Sequence, residues 1–283
     1  MKIGKYTLNV VNSGYFALDG GAMFGIIPKP LWEKDAPADE KNRIRLSTKH
    51  ILLQSESKKI LIDTGMGNKW SAKQFEQFGV ENPNKDGMAE GLKQHGLTPS
   101  DITDVILTHL HFDHTGGSVI KEGESLIPYF EKATYYVQEK NFQWGLNPSN
   151  RDKGSYIKEN FVPLAEHGVL QGISGPGEFL DDEFELFIVN GHTYAQQLIK
   201  ISDGNTTLLH CGDLMPTVAH IPYPYIMGYD LQPLITLQEK ETVLPTAYKE
   251  GWKLFFGHDP NYAMCTLKDT GKGFAADERF ATL

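Results

Sequence analysis

THLHFDHTGG, residues 108–117, is the stretch of this sequence that decides the fold and the site. Three imidazoles and one carboxylate occupy six consecutive positions, from His109 to His114, directly after an apolar run that ends at Leu107. Imidazole and carboxylate are the ligands that Zn²⁺ and its first-row neighbours prefer. Residues two apart in an extended segment face the same side, so His109, His111 and Asp113 begin on one side and the next histidine turns to the other. The stretch therefore predicts two adjacent metal ions rather than one.

The composition narrows the class of protein. The chain has 283 residues, of which 40% are hydrophobic, so it can bury a large core, and we expect one domain spanning residues 1–283. A formal net charge of −9 argues against a nucleic-acid-binding surface, which would need a basic patch. The sequence holds no run of about 18 apolar residues, so we expect no membrane span.

The amino-terminal residues and the cysteines predict the compartment. Residues 1–7 lack the apolar core of a signal peptide. The two cysteines, Cys211 and Cys265, are too few for a disulfide framework and fit a reducing environment. We therefore expect a cytoplasmic protein, and the acidic charge and the lack of a long apolar run predict that neither nucleic acid nor membrane is a partner.

Hydrophobic periodicity predicts strands and helices along the chain. The predicted strands cover residues 6–11, 16–18, 45–54, 59–62, 103–107, 133–137, 184–189, 197–201, 206–210 and 253–256. The predicted helices cover residues 69–78, 88–95, parts of 139–170, and 230–248 with an interruption at Pro245. Residues 19–42 are predicted to form a long loop with exposed apolar side chains. This order predicts an α/β protein with two packed sheets and helices outside, a four-layer sandwich.

Three further strand ends carry residue types that bind metals. His192, Asp213 and His258 each follow an apolar strand. A glycine adjoins each of them, which lets the backbone turn sharply and approach an ion closely. A site with two metal ions needs more than four ligands, so these three residues are the candidates that complete it.

The ordered motif set resembles that of the metallo-β-lactamase superfamily. It consists of LIDTG at residues 61–65, THLHFDH at 108–114, and the pairs Gly191-His192, Gly212-Asp213 and Gly257-His258. The resemblance implies an αβ/βα sandwich with the metal site at its edge. The resemblance implies that the first ion is bound by His109, His111 and His192. It implies that the second ion is bound by Asp113, His114 and His258, and that Asp213 bridges both ions.

Within the superfamily, the sequence is similar to YtnP-type quorum-quenching lactonases. The similarity lies in residues 18–25 and 28–32, and in GDLMPT at 212–217 followed by His220 and Tyr229-Asp230. This last part also resembles organophosphorus hydrolases. Residues 191–195 read GHTYA where many relatives carry GHTPG, which puts the local turn and the shape of the substrate site in question. The histidine at position 111, where flavodiiron proteins carry glutamate, disfavours a di-iron redox site.

The resemblance implies a dinuclear hydrolase with a small-molecule substrate, a lactone similar to the N-acyl homoserine lactone signals, whose ring it opens with a metal-bridging hydroxide. Zn is the expected metal, and the same ligands also accept Fe, Mn or Co. Asp113 and Asp213 are the predicted catalytic carboxylates, and Asp63 is expected to accept a hydrogen bond from a ligating imidazole. The predicted substrate-binding residues are Met23, Phe24, Tyr194, Tyr223 and His220.

Other functions remain open at the level of sequence. The same ligands serve a glyoxalase II-like thioesterase or a phosphotriesterase, whereas the acidic charge disfavours an RNA-processing nuclease. The alternative that is not an enzyme is a metal-bound sensor or binding protein on the same scaffold. The long apolar amino-terminal segment also suggests a homodimer.

Overall fold

A computed structural model describes residues 1–283 and divides the chain into two compact units. Unit 1 comprises residues 1–15 and 48–175, and unit 2 comprises residues 16–47 and 176–283. The strands are β1 (Lys2–Ile3), β2 (Tyr6–Asp19), β3 (Arg43–Gln54), β4 (Lys59–Ile62), β5 (Asp104–Ile106), β6 (Val119–Glu122), β7 (Ser125–Pro128), β8 (Thr134–Gln138), β9 (Leu170–Ile173), β10 (Gly177–Phe179), β11 (Asp181–Val189), β12 (Gln196–Ser202), β13 (Thr207–His210), β14 (Lys253–Phe255), β15 (Met264–Asp269) and β16 (Phe274–Phe280). The helices are α1 (Gly20–Phe24), α2 (Lys29–Trp32), α3 (Ala72–Gln77), α4 (Gly87–Lys93), α5 (Phe112–Thr115), α6 (Glu139–Leu146), α7 (Val162–Glu166) and α8 (Pro233–Lys249). The expectation of a single domain stays a prediction.

The first seven-stranded sheet has the order β1-β2-β3-β4-β5-β8-β9. Strands β4, β5, β8 and β9 run parallel, with Val105 opposite Leu61 on one side and Tyr135 on the other. All three residues belong to the buried core of unit 1. Because parallel strands end at the same edge of a sheet, the residues that follow β4 and β5, Asp63 and Thr108, meet there.

The second seven-stranded sheet has the order β10-β11-β12-β13-β14-β15-β16 and lies in unit 2. Strands β13 and β14 are its parallel pair, with His210 opposite Phe255. Both strands therefore end at the same edge, and the segments that follow them carry Asp213 and His258. Asp213 and His258, two of the three predicted ligands of this unit, come together because their strands are parallel neighbours.

Most of the predicted strands are confirmed to within a few residues, and β4 is confirmed at both ends. The prediction of separate, paired strands at residues 6–11 and 16–18 is wrong, since β2 runs through both. The chain passes Gly14 with a φ of 150°, a conformation that glycine adopts without strain, so the strand continues where a turn was expected. The hairpin of β6 and β7 and the carboxy-terminal strands β15 and β16 were not predicted.

Residues 19–42 contain two short helices, so the prediction of a structureless loop is wrong. Asp19 caps α1 by accepting a hydrogen bond from the backbone N–H of Ala22. The apolar side chains of Met23, Phe24 and Trp32 were predicted to be exposed, but all three are buried. The Phe24 ring stacks on Trp32 at a centroid distance of 5.1 Å. Ile26, by contrast, is 89% exposed. The homodimer stays a prediction.

Helix α8 is continuous, so the predicted interruption at Pro245 is wrong. A proline inside a helix removes one backbone hydrogen bond and crowds the preceding turn. The helix nevertheless continues to Lys249, because Leu244 and Ala247 on either side of the proline are fully buried in the core of unit 2. No helix of the structure is both long enough and apolar enough to cross a membrane.

Candidate metal centre

The histidine-rich stretch consists of an irregular segment after β5 followed by one helical turn, α5. Strand β5 ends at Ile106, and α5 begins at Phe112 directly after His111, which has an extended backbone. The turn brings the His114 ring to a centroid distance of 4.1 Å from the His109 ring. The backbone is held on both sides of this change, because Leu110 N–H donates to Asn141 Oδ1 at 3.0 Å and Phe112 N–H donates to Ser155 O at 2.9 Å. The four candidate ligands of this stretch are each at most 8% exposed.

Asp63 fixes the orientation of His114. One carboxylate oxygen accepts a hydrogen bond from the Thr108 backbone N–H at 2.7 Å, and the other lies 2.8 Å from both Thr108 Oγ1 and His114 Nδ1. An imidazole that donates through Nδ1 keeps the lone pair of Nε2 for another partner. Asp63 itself has a φ of 59°, an uncommon conformation for a residue with a side chain, so the fold holds this carboxylate at some backbone cost.

His192 is oriented in the same way in unit 2. Its Nδ1 lies 2.8 Å from Oδ1 of Asp230, and the second oxygen of Asp230 accepts a hydrogen bond from Thr236 at 2.7 Å. The backbone just before His192 is held by Glu239, which accepts from the N–H groups of Asn190 and Gly191. Burial raises the pKa of Glu239, while these two hydrogen bonds oppose the rise. The imidazole therefore has a fixed plane and a defined tautomer.

His258 and Asp213 complete this part of the site. His258 Nδ1 lies 2.8 Å from the backbone carbonyl oxygen of Ser47, so Nε2 again faces away from its hydrogen-bond partner. Oδ1 of Asp213 lies 3.4 Å from His258 Nε2, and Oδ2 lies 3.4 Å from His192 Nε2. The backbone N–H of Asp213 donates to Gln196 Oε1 at 3.2 Å, which anchors the carboxylate.

Each unit contributes its own candidate ligands. Unit 1 supplies His109, His111, Asp113 and His114, and unit 2 supplies His192, Asp213 and His258. Imidazole nitrogens and carboxylate oxygens suit Zn²⁺ and related divalent ions. Three of the imidazoles present Nε2 because an acceptor occupies Nδ1, which is the usual arrangement of ligating histidines. The donor set therefore fits two divalent cations, as in dinuclear metallohydrolases.

The structure places the predicted substrate-binding residues in different environments. Met23, Phe24 and His220 are almost fully buried, whereas Tyr194 is 38% exposed beside His192 in the sequence. Tyr223 packs edge-on against Phe274, at a centroid distance of 6.2 Å. The substrate-binding role of all five residues stays a prediction.

His220 is engaged at both ring nitrogens. Nδ1 lies 2.7 Å from Thr217 Oγ1 and Nε2 lies 2.8 Å from the carbonyl oxygen of Met23. The carbonyl can only accept, so Nε2 carries the proton and the threonine hydroxyl donates to Nδ1. Burial lowers the pKa of His220 to about 4. The imidazole is therefore neutral and joins α1 to the segment after Asp213.

The partners of three charged side chains, Lys69, Asp230 and Lys240, were missed at the level of sequence. Asp230 was noted only as part of a resemblance, and nothing in its local sequence marks it as the partner of His192. Lys69 donates to the carbonyl oxygens of Gly116 and Val119, just beyond α5, and burial lowers its pKa to about 8. The spacing of Lys240 could have indicated that it is buried, since it lies four residues from both Thr236 and Leu244 on the buried face of α8.

Comparison with known proteins agrees with this architecture. The family model described as the metallo-β-lactamase superfamily matches residues 46–258. The N-acyl homoserine lactonase AttM of Agrobacterium fabrum is 25% identical over 186 residues, and the match covers 62% of this chain. The chain spans 65% of the length of AttM.

Two solved structures are similar over nearly the whole chain. A probable metal-dependent hydrolase from Staphylococcus aureus is 33% identical, with a TM-score of 0.90, and the match covers 99% of this chain and 98% of that one. AidC, a dizinc quorum-quenching lactonase, is 20% identical with a TM-score of 0.81, over 98% of this chain and 95% of that one, which shows a shared fold. The predicted fold class and the predicted superfamily are confirmed. The chain belongs to the metallo-β-lactamase superfamily.

Proposed function

We propose that this protein opens the ring of a lactone of the N-acyl homoserine lactone class, using two divalent metal ions. The observation that carries the proposal is the position of Asp213, whose two carboxylate oxygens each lie 3.4 Å from a different histidine Nε2. A carboxylate that faces two imidazoles in this way suits the bridging ligand of a dinuclear centre.

The residues that would hold the ions are the seven side chains predicted from the sequence. They are His109, His111 and His192 for one ion, Asp113, His114 and His258 for the other, and Asp213 between them. Bound there, two divalent ions supply an activated water near neutral pH and polarise the carbonyl of an ester. We propose Zn²⁺ as the metal, because imidazole nitrogen and carboxylate oxygen are among its preferred ligands and the similar structure AidC is a dizinc lactonase.

The chain's own residues determine how precisely these donors are held. Asp63, Asp230 and the Ser47 carbonyl each accept from one Nδ1, so three imidazole planes are fixed before any ion or substrate binds. Such preorganisation lowers the cost of reaching the reactive geometry. Asp113 is the carboxylate that we assign to proton transfer, because it is buried with its Oδ2 4.0 Å from Nε2 of the candidate ligand His114, and general acid–base groups must lie within reach of the reacting atoms.

The choice of a lactone rests on the relatives. AttM is named as an N-acyl homoserine lactonase, and AidC was solved as a lactonase with the product N-hexanoyl-L-homoserine. A ring-opening reaction needs a nucleophile, a polarised carbonyl and a proton for the leaving alkoxide, which the proposed ions and Asp113 supply.

A substrate panel tests the proposal. Metal-replete protein would be assayed against N-acyl homoserine lactones of different acyl length, a glutathione thioester and an aryl phosphotriester. Hydrolysis of each substrate would be measured through the acid that it releases. We expect the lactones to have the highest kcat/KM. Asp213→Asn should lower their turnover by more than about 100-fold, whereas the exposed Asp182→Asn should leave it unchanged. Preference for the thioester or the phosphotriester would replace the lactone by that substrate class. Turnover of none of them would refute the hydrolase.

A further inference from the structure

The buried face of α8 contains a lysine where a hydrophobic side chain would be expected. Thr236, Lys240, Leu244 and Ala247 form this face, and Lys240 is 0% exposed. Burying an ammonium group is costly unless hydrogen bonds replace the water that it loses. The position of this lysine in the core therefore calls for a matched set of acceptors.

Four backbone carbonyl oxygens of one short segment surround the lysine nitrogen. Lys240 Nζ lies 2.7 Å from the carbonyl oxygens of both His220 and Pro222, 3.1 Å from that of Tyr225 and 3.4 Å from that of Tyr223. An ammonium group has three N–H donors and no acceptor, so it complements carbonyl oxygens, which only accept. Burial lowers the pKa of Lys240 to about 7, and the negative charge of Asp230 opposes this change. The oxygen set is of the kind that also binds monovalent cations.

The segment that supplies these carbonyls has little regular structure of its own. Residues 221–232 lie outside helices and strands, and Pro222 and Pro224 have no N–H group to donate. The segment is tied at one end to α1 through the bond between His220 and the Met23 carbonyl. At its other end Asp230 accepts from His192, and Leu231 N–H donates to the His192 carbonyl at 3.1 Å. The carbonyls that contact the ammonium group belong to residues 220–225, within the segment that these two attachments delimit.

We propose that Lys240 is a positioning residue whose ammonium group serves as a built-in monovalent cation. It organises the carbonyls of residues 220–225, and thereby holds the segment that leads to Asp230 and His192. Removing the side chain leaves a carbonyl cage that accepts a free cation with N–H donors or K⁺. The step from Asp230 to the metal rests on the proposed function, whereas the cation cage does not.

Chemical rescue of Lys240→Ala tests the cage. We expect this variant of the full chain to unfold at a lower temperature, and n-propylammonium to raise the midpoint saturably at about pH 6, where the wild-type lysine is charged. Potassium ions should act in the same direction. Tetramethylammonium, which carries the charge without N–H donors, and n-propanol, which lacks the charge, should not restore the midpoint. The exposed Lys249→Ala, on the same helix, should respond to none of them.

Two further variants keep the test decisive. Lys240→Met fills the space without a donor, so we expect a lower midpoint that no cation restores, whereas Lys240→Arg keeps the charge and should retain part of the stability. If Lys240→Ala folds only when n-propylammonium is present, the cage is supported. If no cation affects it, or if tetramethylammonium works equally well, the cage is refuted.

Zinc affinity, measured by competition with a chelator, tests the positioning role without using turnover. We expect Lys240→Ala to bind the weaker zinc equivalent about tenfold less tightly, as is typical when a group supporting a metal ligand is lost, and n-propylammonium to restore the affinity. The positioning role would be contradicted if n-propylammonium restored the unfolding midpoint of Lys240→Ala while the zinc affinity of this variant was the same with and without the cation. Because neither readout depends on the substrate, a failure of the lactonase proposal would not be mistaken for a failure of this one.

Discussion

The two oxygens of the Asp213 carboxylate each lie 3.4 Å from a histidine Nε2, Oδ2 from that of His192 and Oδ1 from that of His258. Each of these imidazoles has its Nδ1 within 2.8 Å of an oxygen acceptor, Asp230 for His192 and the Ser47 carbonyl for His258. The Nε2 atoms and the carboxylate oxygens therefore approach each other as lone-pair atoms. Such an approach is held together by a cation, either a proton on the imidazole or a metal ion between the two atoms.

Asp213→Asn removes the negative charge from this bridge and makes one of its two ligand atoms an amide nitrogen. We expect bound zinc to fall from about two equivalents toward one, and hydrolysis to fall by more than about 100-fold, beyond the loss typical of outer hydrogen-bond partners. Elemental analysis and steady-state kinetics measure the two effects. Asp182→Asn, on an exposed strand position, is the matched control. Two full equivalents of zinc in Asp213→Asn would remove this residue from the centre.

Asp63→Asn tests the orientation of His114. The asparagine can still accept from Thr108, but its amide nitrogen cannot accept from His114 Nδ1, so the imidazole loses its fixed tautomer. We expect zinc to bind about 10-fold to 100-fold less tightly, with a smaller change in unfolding temperature of the metal-free protein. Chelator competition checks the affinity. Equal affinities in the variant and the wild type would show that Asp63 only caps its loop.

His220 gives the protein a specific dependence of stability on pH. Burial lowers its pKa from 6.5 to about 4, so the unfolded state binds more protons between these values. Its contribution to stability is therefore complete above about pH 6.5 and is lost as the pH falls toward 4. We expect about 2 kcal/mol of this loss between pH 6.5 and pH 5, measured as the difference between the wild type and His220→Gln in denaturant unfolding. The exposed His167→Gln should follow the wild type, and parallel pH profiles for His220→Gln and the wild type would contradict the assignment.

Gly116 lies where no side chain fits. A Cβ added there would approach the carbonyl oxygen of Met66 to 1.9 Å, and both atoms belong to the backbone or are fixed to it. We expect Gly116→Ala to lower the free energy of unfolding by about 3 kcal/mol or more, because a backbone segment next to α5 must move. Gly154→Ala is the control, since a Cβ at Gly154 meets nothing within 4 Å. Equal stabilities by denaturant titration would show that this turn adapts without cost.

The segment between β2 and β3 shows why local sequence was a poor guide to burial. Its glycines and prolines indicated a loop, yet Asp19 caps a helix there, and the Phe24 ring stacks on two other aromatic rings. The ring stacks on Trp32 at 5.1 Å and on His220 at 4.7 Å. His220 is 197 positions from Met23, the neighbour of Phe24 in the chain, so no local window of sequence could have indicated that Phe24 and His220 stack.

The sequence by itself determined the residue types of the site, their order and the strands that deliver them. Alternating and apolar runs are local, and a histidine or aspartate directly after such a run is placed at a strand end whatever the rest of the chain does. Only the tertiary structure decided which strand ends meet, which acceptor holds each Nδ1, and that Lys240 is buried among carbonyls. These depend on contacts such as the one between His258 and Ser47, 211 residues apart, which form only when the whole chain has folded.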